Sequence, residues 1–201
     1  MKFIYLLLSL VLFSIRLNSQ TKPNTQDLGN IVFETTGINA QLGSKLGLQP
    51  IVSSKSVIEI RLYSNIGFTG MQCIILQYDK EWKATKLKLN AKDSIVKTNL
   101  KPVVGIDKIA RAIIESNVFS LPSQDRLSTA NYKLDLSTYE VKPSAITISD
   151  AAVYYVQFKV QNDGREYKYC DPKAYAAFYK GQHEYADFAA ILKQFAKLEV
   201  K

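Results

Sequence analysis

Alternating hydrophobic and polar positions in the stretch VIEIRLY predict the first clear β-strand of the chain. Ile58, Ile60 and Leu62 point to one side, and Glu59 and Arg61 point to the other. A period of two is typical of a strand with one face on the core and the other in water. We therefore expect a half-buried strand here.

The stretch MQCIILQYDKEWKATKLKL (71–89) follows as a predicted hairpin. With Lys80 and Glu81 as the turn, Ile74 pairs with Leu87 on one face of the hairpin. Leu76 then pairs with Thr85 on that same face. The opposite face is expected to carry Cys73, Ile75, Trp82, Lys86 and Lys88.

A second hairpin is predicted over AVYYVQFKVQNDGREYKYC (152–170). Asp163-Gly164 is a strong signal for a two-residue turn, because a type I′ turn needs positive φ at both positions. Counting from that turn pairs Phe158 with Tyr169. It also pairs Val160 with Tyr167 on the same face and leaves Lys159, Lys168 and Cys170 on the other. YKLDL (132–136) and AITIS (145–149) are shorter strand candidates.

Three segments change to helical periodicity. GIDKIARAIIESNVF (105–119) repeats isoleucines at spacings of three and four, which predicts an amphipathic helix. In CDPKAYAAFYKG, Asp171 is placed as N-cap, Pro172 as first helical residue and Gly181 as terminator. The last helix, HEYADFAAILKQFAKL, carries one apolar stripe: Tyr185, Phe188, Leu192 and Phe195.

The order strands, helix, strands, helix predicts a single α+β domain over residues 56–201. We expect an antiparallel β-sheet with two or three helices packed on one face. Residues 20–55 are rich in Thr, Asn, Gln, Gly and Ser, and only NIVFE (30–34) resembles a strand. That composition predicts a flexible leader.

The first 19 residues have the pattern of a secretory signal peptide. Lys2 precedes an apolar run from Phe3 to Ile15, and Ser19 supplies a small residue for cleavage. The run is shorter than the ~20 residues of a membrane span, although an uncleaved anchor is an open alternative. No cysteine lies near this boundary, so the chain is not expected to be a lipoprotein. The expected location is the periplasm or the outside of the cell, with no membrane span after cleavage.

The excess of lysine favours anionic partners such as polysaccharide, lipid headgroups or nucleic acid, and the alternative is a solvated basic exterior. The formal charge is +8, and cleavage after Ser19 would leave +6 because Lys2 and Arg16 are removed. Trp82, Lys86, Lys88 and Tyr155 are the candidate binding residues for an envelope protein or an anionic glycan. The alternative for the lysines is that they protect an edge strand from pairing with other chains. No specific nucleic-acid motif accompanies them.

The stretch EYKYCDPKAYAAFYKGQHEY (166–185) holds five tyrosines, one cysteine and the single histidine. The predicted strand places Tyr167 and Tyr169 on its inner face, and helical spacing places Tyr175 and Tyr179 against the sheet. We therefore interpret this stretch as a strand–helix junction rather than a chemical site.

The two cysteines leave two alternatives open. In an oxidising compartment Cys73 and Cys170 could form a disulfide, provided that their Cα atoms lie within ~7 Å. Otherwise both are buried and inert thiols.

No catalytic or cofactor motif is present. The sequence contains no G-x-S-x-G, H-E-x-x-H, P-loop or dinucleotide fingerprint, and no cofactor or metal site is expected. His183 has only Glu184 and Asp187 nearby, which is too few ligands for a metal. We expect a non-enzymatic module that binds a protein or an anionic glycan. The alternative is an extracytoplasmic hydrolase that uses His183 with scattered carboxylates: Asp135, Glu140, Asp150 and Asp163.

The last third of the chain resembles a known group. The segment ISDAAVYYVQFKVQNDGREYKYCDPKAYA (148–176), with a closing amphipathic helix, is similar to uncharacterised small envelope proteins of Bacteroidota. The signal-peptide ending LNSQT resembles those common in secreted proteins of the same group. Where that pattern has Asp-Gly and Asn-Pro, this chain has Asp150-Ala151 and Asp171-Pro172. The resemblance implies a location and a fold but no activity.

Overall fold

A computed structural model describes residues 37–66, 70–127, 131–144, 146–149 and 151–200. The predicted signal peptide, the strand-like NIVFE and Asp150 lie outside these ranges. The strands are β1 (Ile58–Ser64), β2 (Gln72–Tyr78), β3 (Trp82–Leu89), β4 (Ile95–Asn99), β5 (Asn131–Asp135), β6 (Glu140–Ser144), β7 (Val153–Val160) and β8 (Asp163–Cys170). The helices are α1 (Gly37–Lys45), α2 (Ile106–Glu115), α3 (Pro172–Phe178) and α4 (His183–Lys197), with short 3-10 turns at Ile51–Ser53 and Gln124–Arg126.

Six strands form one antiparallel sheet in the order β4-β3-β2-β1-β7-β8. The first four strands follow one another as a meander. The chain then passes through α2 and the separate β5–β6 hairpin, and returns as β7 on the free side of β1. The mixed α+β class and the antiparallel sheet agree with the prediction. No helix in the described ranges is long and apolar enough to cross a membrane.

Helices α2, α3 and α4 enclose the main core on one face of the sheet. Ile60 and Leu62 of β1 and Phe158 of β7 contribute the sheet side of this core, as their alternation predicted. Phe188 and Ile191 of α4 are fully buried against them. Leu192 was predicted to lie in the same apolar stripe, but it is only half-buried and packs against the edge of this core.

The other face of the sheet is also covered, which corrects the predicted leader. Leu42 and Leu46, within and just after α1, are buried against Cys73 and Ile75, and the 3-10 turn at Ile51–Ser53 packs against β7 and β8. Leu46 is only 2% exposed. Residues 37–55 are therefore part of the domain, and the sequence missed this because they lack a long periodic pattern.

The β2–β3 pairing differs from the predicted register by one step. Tyr78 lies opposite Trp82, so the loop is residues 79–81 rather than Lys80-Glu81. Ile74 consequently lies opposite Lys86 and Leu76 opposite Ala84. A one-residue slip moves each β3 side chain to the other face, so Leu87 joins the α1 side of the sheet.

The β7–β8 turn also lies elsewhere. Val160 pairs with Asp163, so Gln161 and Asn162 form the loop, and Gln161 adopts a positive φ of 54°. The predicted Asp163-Gly164 turn is wrong, but the shift is even and leaves every side chain on its predicted face. In the observed register Tyr167 lies opposite Val156, and both side chains are in the core.

Two local predictions around the helices have different outcomes. Asp171 caps α3 by accepting a hydrogen bond from the Ala174 backbone N–H at 3.4 Å, with Pro172 at the first helical position. In contrast, the described part of AITIS forms no strand, and β5 pairs with β6 instead.

Candidate functional site

The four predicted binding residues do not lie on one surface. The corrected register places Trp82, Lys86 and Lys88 on the face of the sheet covered by α2, α3 and α4, whereas Tyr155 lies on the face covered by α1. Trp82 is half-buried, with its ring 5.2 Å from that of Tyr78.

Two of these side chains already have partners in the structure. Lys86 forms an ion pair with Glu199, and the Tyr155 ring lies 5.7 Å below the Lys168 ammonium group. The structure therefore does not bring Trp82, Lys86, Lys88 and Tyr155 together.

The possible disulfide is contradicted. Cys73 and Cys170 are free, and β1 and β7 separate their strands β2 and β8. Three strand spacings correspond to ~14 Å, twice the Cα distance that a disulfide tolerates. Burial raises the pKa of the Cys73 thiol, which keeps it protonated and unreactive.

The tyrosine-rich stretch 166–185 forms a packed aromatic cluster, as the junction interpretation predicted. Tyr169 stacks on Phe188 at 4.3 Å between ring centroids, and the Tyr167 hydroxyl donates to the Val118 carbonyl at 3.0 Å. Burial raises the pKa of Tyr167 and Tyr169, and raises the pKa of Tyr185 to about 12. These tyrosines are therefore neutral core residues at physiological pH.

Among the described residues, His183 is not part of a cluster of catalytic groups. Its side chain is 79% exposed at the start of α4, with Nδ1 3.9 Å from a Glu184 carboxylate oxygen. Asp187 accepts a hydrogen bond from Asn117 at 3.3 Å. Within the described ranges no three His, Cys, Asp or Glu side chains are placed to hold a metal ion.

A buried polar cluster lies between β1 and the segment that covers it. Glu59 and Arg61 are 1% and 4% exposed, and Arg61 Nε donates to Glu59 Oε1 at 2.5 Å. Glu59 also accepts from Ser54 Oγ and from Gln77 Nε2. These contacts use the charged groups internally, so this cluster has a structural role.

The same cluster fastens residues 49–54 to the sheet. Arg61 donates to the Gln49 carbonyl at 2.8 Å, and the Lys159 ammonium group donates to the Ser54 carbonyl. Two buried cations thus bind two backbone carbonyls of the covering segment.

The β5–β6 hairpin presents a different surface, with exposed apolar side chains on one side. In its register Tyr132 lies opposite Pro143, and Leu134 lies opposite Val141. Directly paired residues point to the same side of a sheet, so these four form one apolar face. We call this surface, together with the tip residues Leu136 and Tyr139, the hairpin face.

The hairpin face is not covered by the described part of the chain. Its large side chains range from 48% exposed at Leu134 to 80% at Tyr139. The two strands contact each other, and no other described helix or strand packs extensively against them. The exposed area is on the order of several hundred Å², the size at which apolar patches on monomers are often functional.

The tip of the hairpin is held by polar contacts on the other side. Asp135 Oδ1 accepts from the Ser137 backbone and hydroxyl groups, and Asp135 Oδ2 accepts from Lys142 Nζ at 2.8 Å. These hydrogen bonds hold the pKa of Asp135 below its usual range. Tyr139 adopts a positive φ of 56° and donates its backbone N–H to the Asp135 carbonyl. A two-stranded hairpin is marginal alone, and this network fixes its shape.

Sequence reasoning found only half of this surface. A strand is predicted over YKLDL but none over EVKPS (140–144), which contains a proline, a residue that is rare within strands. The alternation of Tyr132 with Leu134, facing Val141 and Pro143, was the available signal.

Comparisons of this chain with protein-family models, with curated proteins and with solved structures found no match. They add nothing to the resemblance noted in the sequence, which stays a prediction.

Proposed function

We propose that this chain is a non-enzymatic binding module that acts outside the cytoplasm and docks a protein partner through the hairpin face. One observation carries the proposal: an amphipathic hairpin whose apolar side is exposed and whose polar side fixes its shape. Burying such a surface in a partner gains the hydrophobic free energy that the isolated chain forgoes. A preformed hairpin also loses little conformational entropy on binding.

The charges of the hairpin favour a protein over an anionic glycan or lipid surface. Lys133 and Lys142 are balanced by Asp135 and Glu140, and Lys142 contacts both acids. Recognition of an anionic polymer requires an excess of basic groups, which the hairpin lacks. An apolar groove on another protein fits this surface better.

The hydrolase alternative gains no support from the described residues. His183 is exposed and Asp135 belongs to the hairpin tip. The extracytoplasmic location is supported by the signal-like sequence of residues 1–19. Measuring the mass of the mature chain in an envelope or secreted fraction tests that location, since cleavage after Ser19 leaves a defined N-terminus.

Site-specific photocrosslinking tests the docking. A photoreactive residue at position 136 should yield a discrete adduct with a protein in the envelope fraction, whereas the same group at Lys133, on the polar side, should not. The adduct should disappear when Leu134→Ser and Val141→Ser remove the apolar face. Circular dichroism of that variant establishes that the domain is still folded.

Equal adducts from both positions, or an adduct that survives loss of the apolar face, would contradict docking through this surface. Retention on an anionic polysaccharide column that is unaffected by the hairpin variant, without any protein adduct, would favour the glycan instead.

A further inference from the structure

The two outer edges of the six-stranded sheet differ in whether their backbone groups have hydrogen-bond partners. On β8, the outward backbone N–H groups of Lys168 and Cys170 donate to Ser123 Oγ at 3.2 Å and to Gln124 Oε1 at 2.6 Å. Side chains from the segment before β5 therefore occupy the positions that another strand would take. The C-terminal half of that edge is therefore closed to a further strand.

The outer edge of β4 is open within the described part of the chain. Leu100 N–H donates to the Ala84 carbonyl, so even-numbered residues of this antiparallel pair turn their backbone groups toward β3. Ile95, Lys97 and Asn99 then direct their N–H and C=O groups outward. All five residues of β4 are exposed, and no described strand pairs with its outer side.

Lysines surround this open edge. Lys97 lies within β4, Lys92 and Lys101 flank it, and Lys88 lies opposite Val96 on β3; all four are exposed. Asp93 is the single acid between residues 90 and 101. The edge thus combines unpaired backbone groups with a local excess of positive charge.

We propose that β4 accepts an extended acidic peptide segment of a partner protein, which adds as a seventh strand of the sheet. Backbone hydrogen bonds to Ile95, Lys97 and Asn99 would supply affinity, as in other cases of strand addition. Glutamate or aspartate side chains of the segment would face the lysines and fix its register. This surface is separate from the hairpin face and does not depend on the function proposed for that face.

A second copy of the chain fits the same edge poorly. Antiparallel pairing of two β4 strands about Lys97 places like charges opposite each other, which is destabilising and is a common protection of edge strands. The lysines that exclude a second copy attract an acidic strand, so the charge selects among occupants.

Amide hydrogen exchange of the full chain, followed by NMR, tests the proposal. The probe is a short blocked peptide of alternating valine and glutamate, and its control replaces glutamate with lysine. At saturation the acidic peptide should slow exchange of the Ile95, Lys97 and Asn99 amides at least tenfold. The Thr98 amide, which is directed toward β3, should change little, and the lysine peptide should have no effect.

Two variants separate backbone pairing from charge. Lys97→Pro removes an outward N–H and should abolish binding; Lys97→Glu keeps the N–H but should weaken the acidic peptide at least tenfold. Lys83→Glu is the matched control, because Lys83 lies on β3 beside Glu81, and it should bind nearly normally. A Leu136→Ser variant should bind the peptide as the unchanged chain does.

Three results would overturn the proposal. The first is no protection by the acidic peptide, and the second is equal protection by both peptides. The third is slow exchange of these amides in the free chain, which would mean that residues 30–34 or a second copy already occupy the edge. Sedimentation of the free chain distinguishes those two occupants.

Discussion

The buried pair of Glu59 and Arg61 gives the sharpest test of how the sheet is held to its covering segment. Replacing Arg61 with Met removes the cation 2.5 Å from the Glu59 carboxylate and the donor to the Gln49 carbonyl. Glu59 is only 1% exposed, so its carboxylate cannot regain water. Leaving one buried charge without its partner costs about 3–5 kcal/mol, a large part of the 5–15 kcal/mol typical of a domain.

The double replacement Glu59→Met with Arg61→Met should cost far less than the two single changes together. Neither member of this ion pair is then left without the other. Ser54 and Gln77 each lose a hydrogen bond worth about 1 kcal/mol, and Lys159, opposite Glu59 on β7, remains as a buried cation that donates to the Ser54 carbonyl. We expect the double variant to lose about 2 kcal/mol and the coupling free energy to exceed about 2 kcal/mol.

Urea unfolding, followed by circular dichroism and by the fluorescence of Trp82, the single tryptophan, measures these free energies. Lys83→Met is the control, since its ion pair with Glu81 is largely exposed and should contribute less than about 1 kcal/mol. A loss below about 1 kcal/mol for Arg61→Met, or strictly additive single changes, would refute the view that this pair is buried and coupled.

Three further predictions concern the aromatic core and its junction. The Tyr169 hydroxyl is buried without a hydrogen-bond partner among the described residues, so Tyr169→Phe should raise the free energy of unfolding by about 1 kcal/mol. Tyr167→Phe removes a hydrogen bond and should lower the free energy of unfolding by a similar amount. Thermal unfolding of both variants checks that the two effects have opposite signs. The pKa values of Tyr167, Tyr169 and Tyr185 are raised in the folded state, so as the pH rises the unfolded chain loses these protons before the folded chain does. The stability that is present below pH ~10 should therefore fall as the pH rises above that value. Unfolding free energies measured at several pH values above and below pH ~10 should show this loss, and a flat profile would contradict it. Asp171→Ala should lower the free energy of unfolding by about 1–2 kcal/mol, because it removes the cap of α3 and leaves alanine at a φ of +35°. Asp171→Asn keeps a capping side chain and a residue that tolerates positive φ, so chemical denaturation should show almost no change in stability.

The candidate surfaces show where sequence reasoning succeeds and where it stops. Tyr132 and Leu134 were recognised as strand residues, but their exposure depends on the absence of any described element packed over them. Trp82 and Lys86 were assigned to the wrong face because the loop before β3 contains three residues rather than two. Such an error is invisible locally, since either loop length satisfies the composition.

The alternation of Ile58, Ile60 and Leu62 was sufficient to determine that β1 is a strand and which of its faces meets α2, α3 and α4. The aromatic spacing of residues 166–185 likewise determined the strand–helix junction, because periods of 2 and 3.6 reflect backbone geometry within one segment.

Only the tertiary structure decided that Glu59 and Arg61 are buried. Their burial requires residues 37–55 to lie across the second face of the sheet, and that packing depends on contacts between segments far apart in the chain. The same holds for the partly closed edge at β8 and the open edge at β4. Whether a strand has a neighbour is a property of the whole sheet, and no single strand's sequence records it.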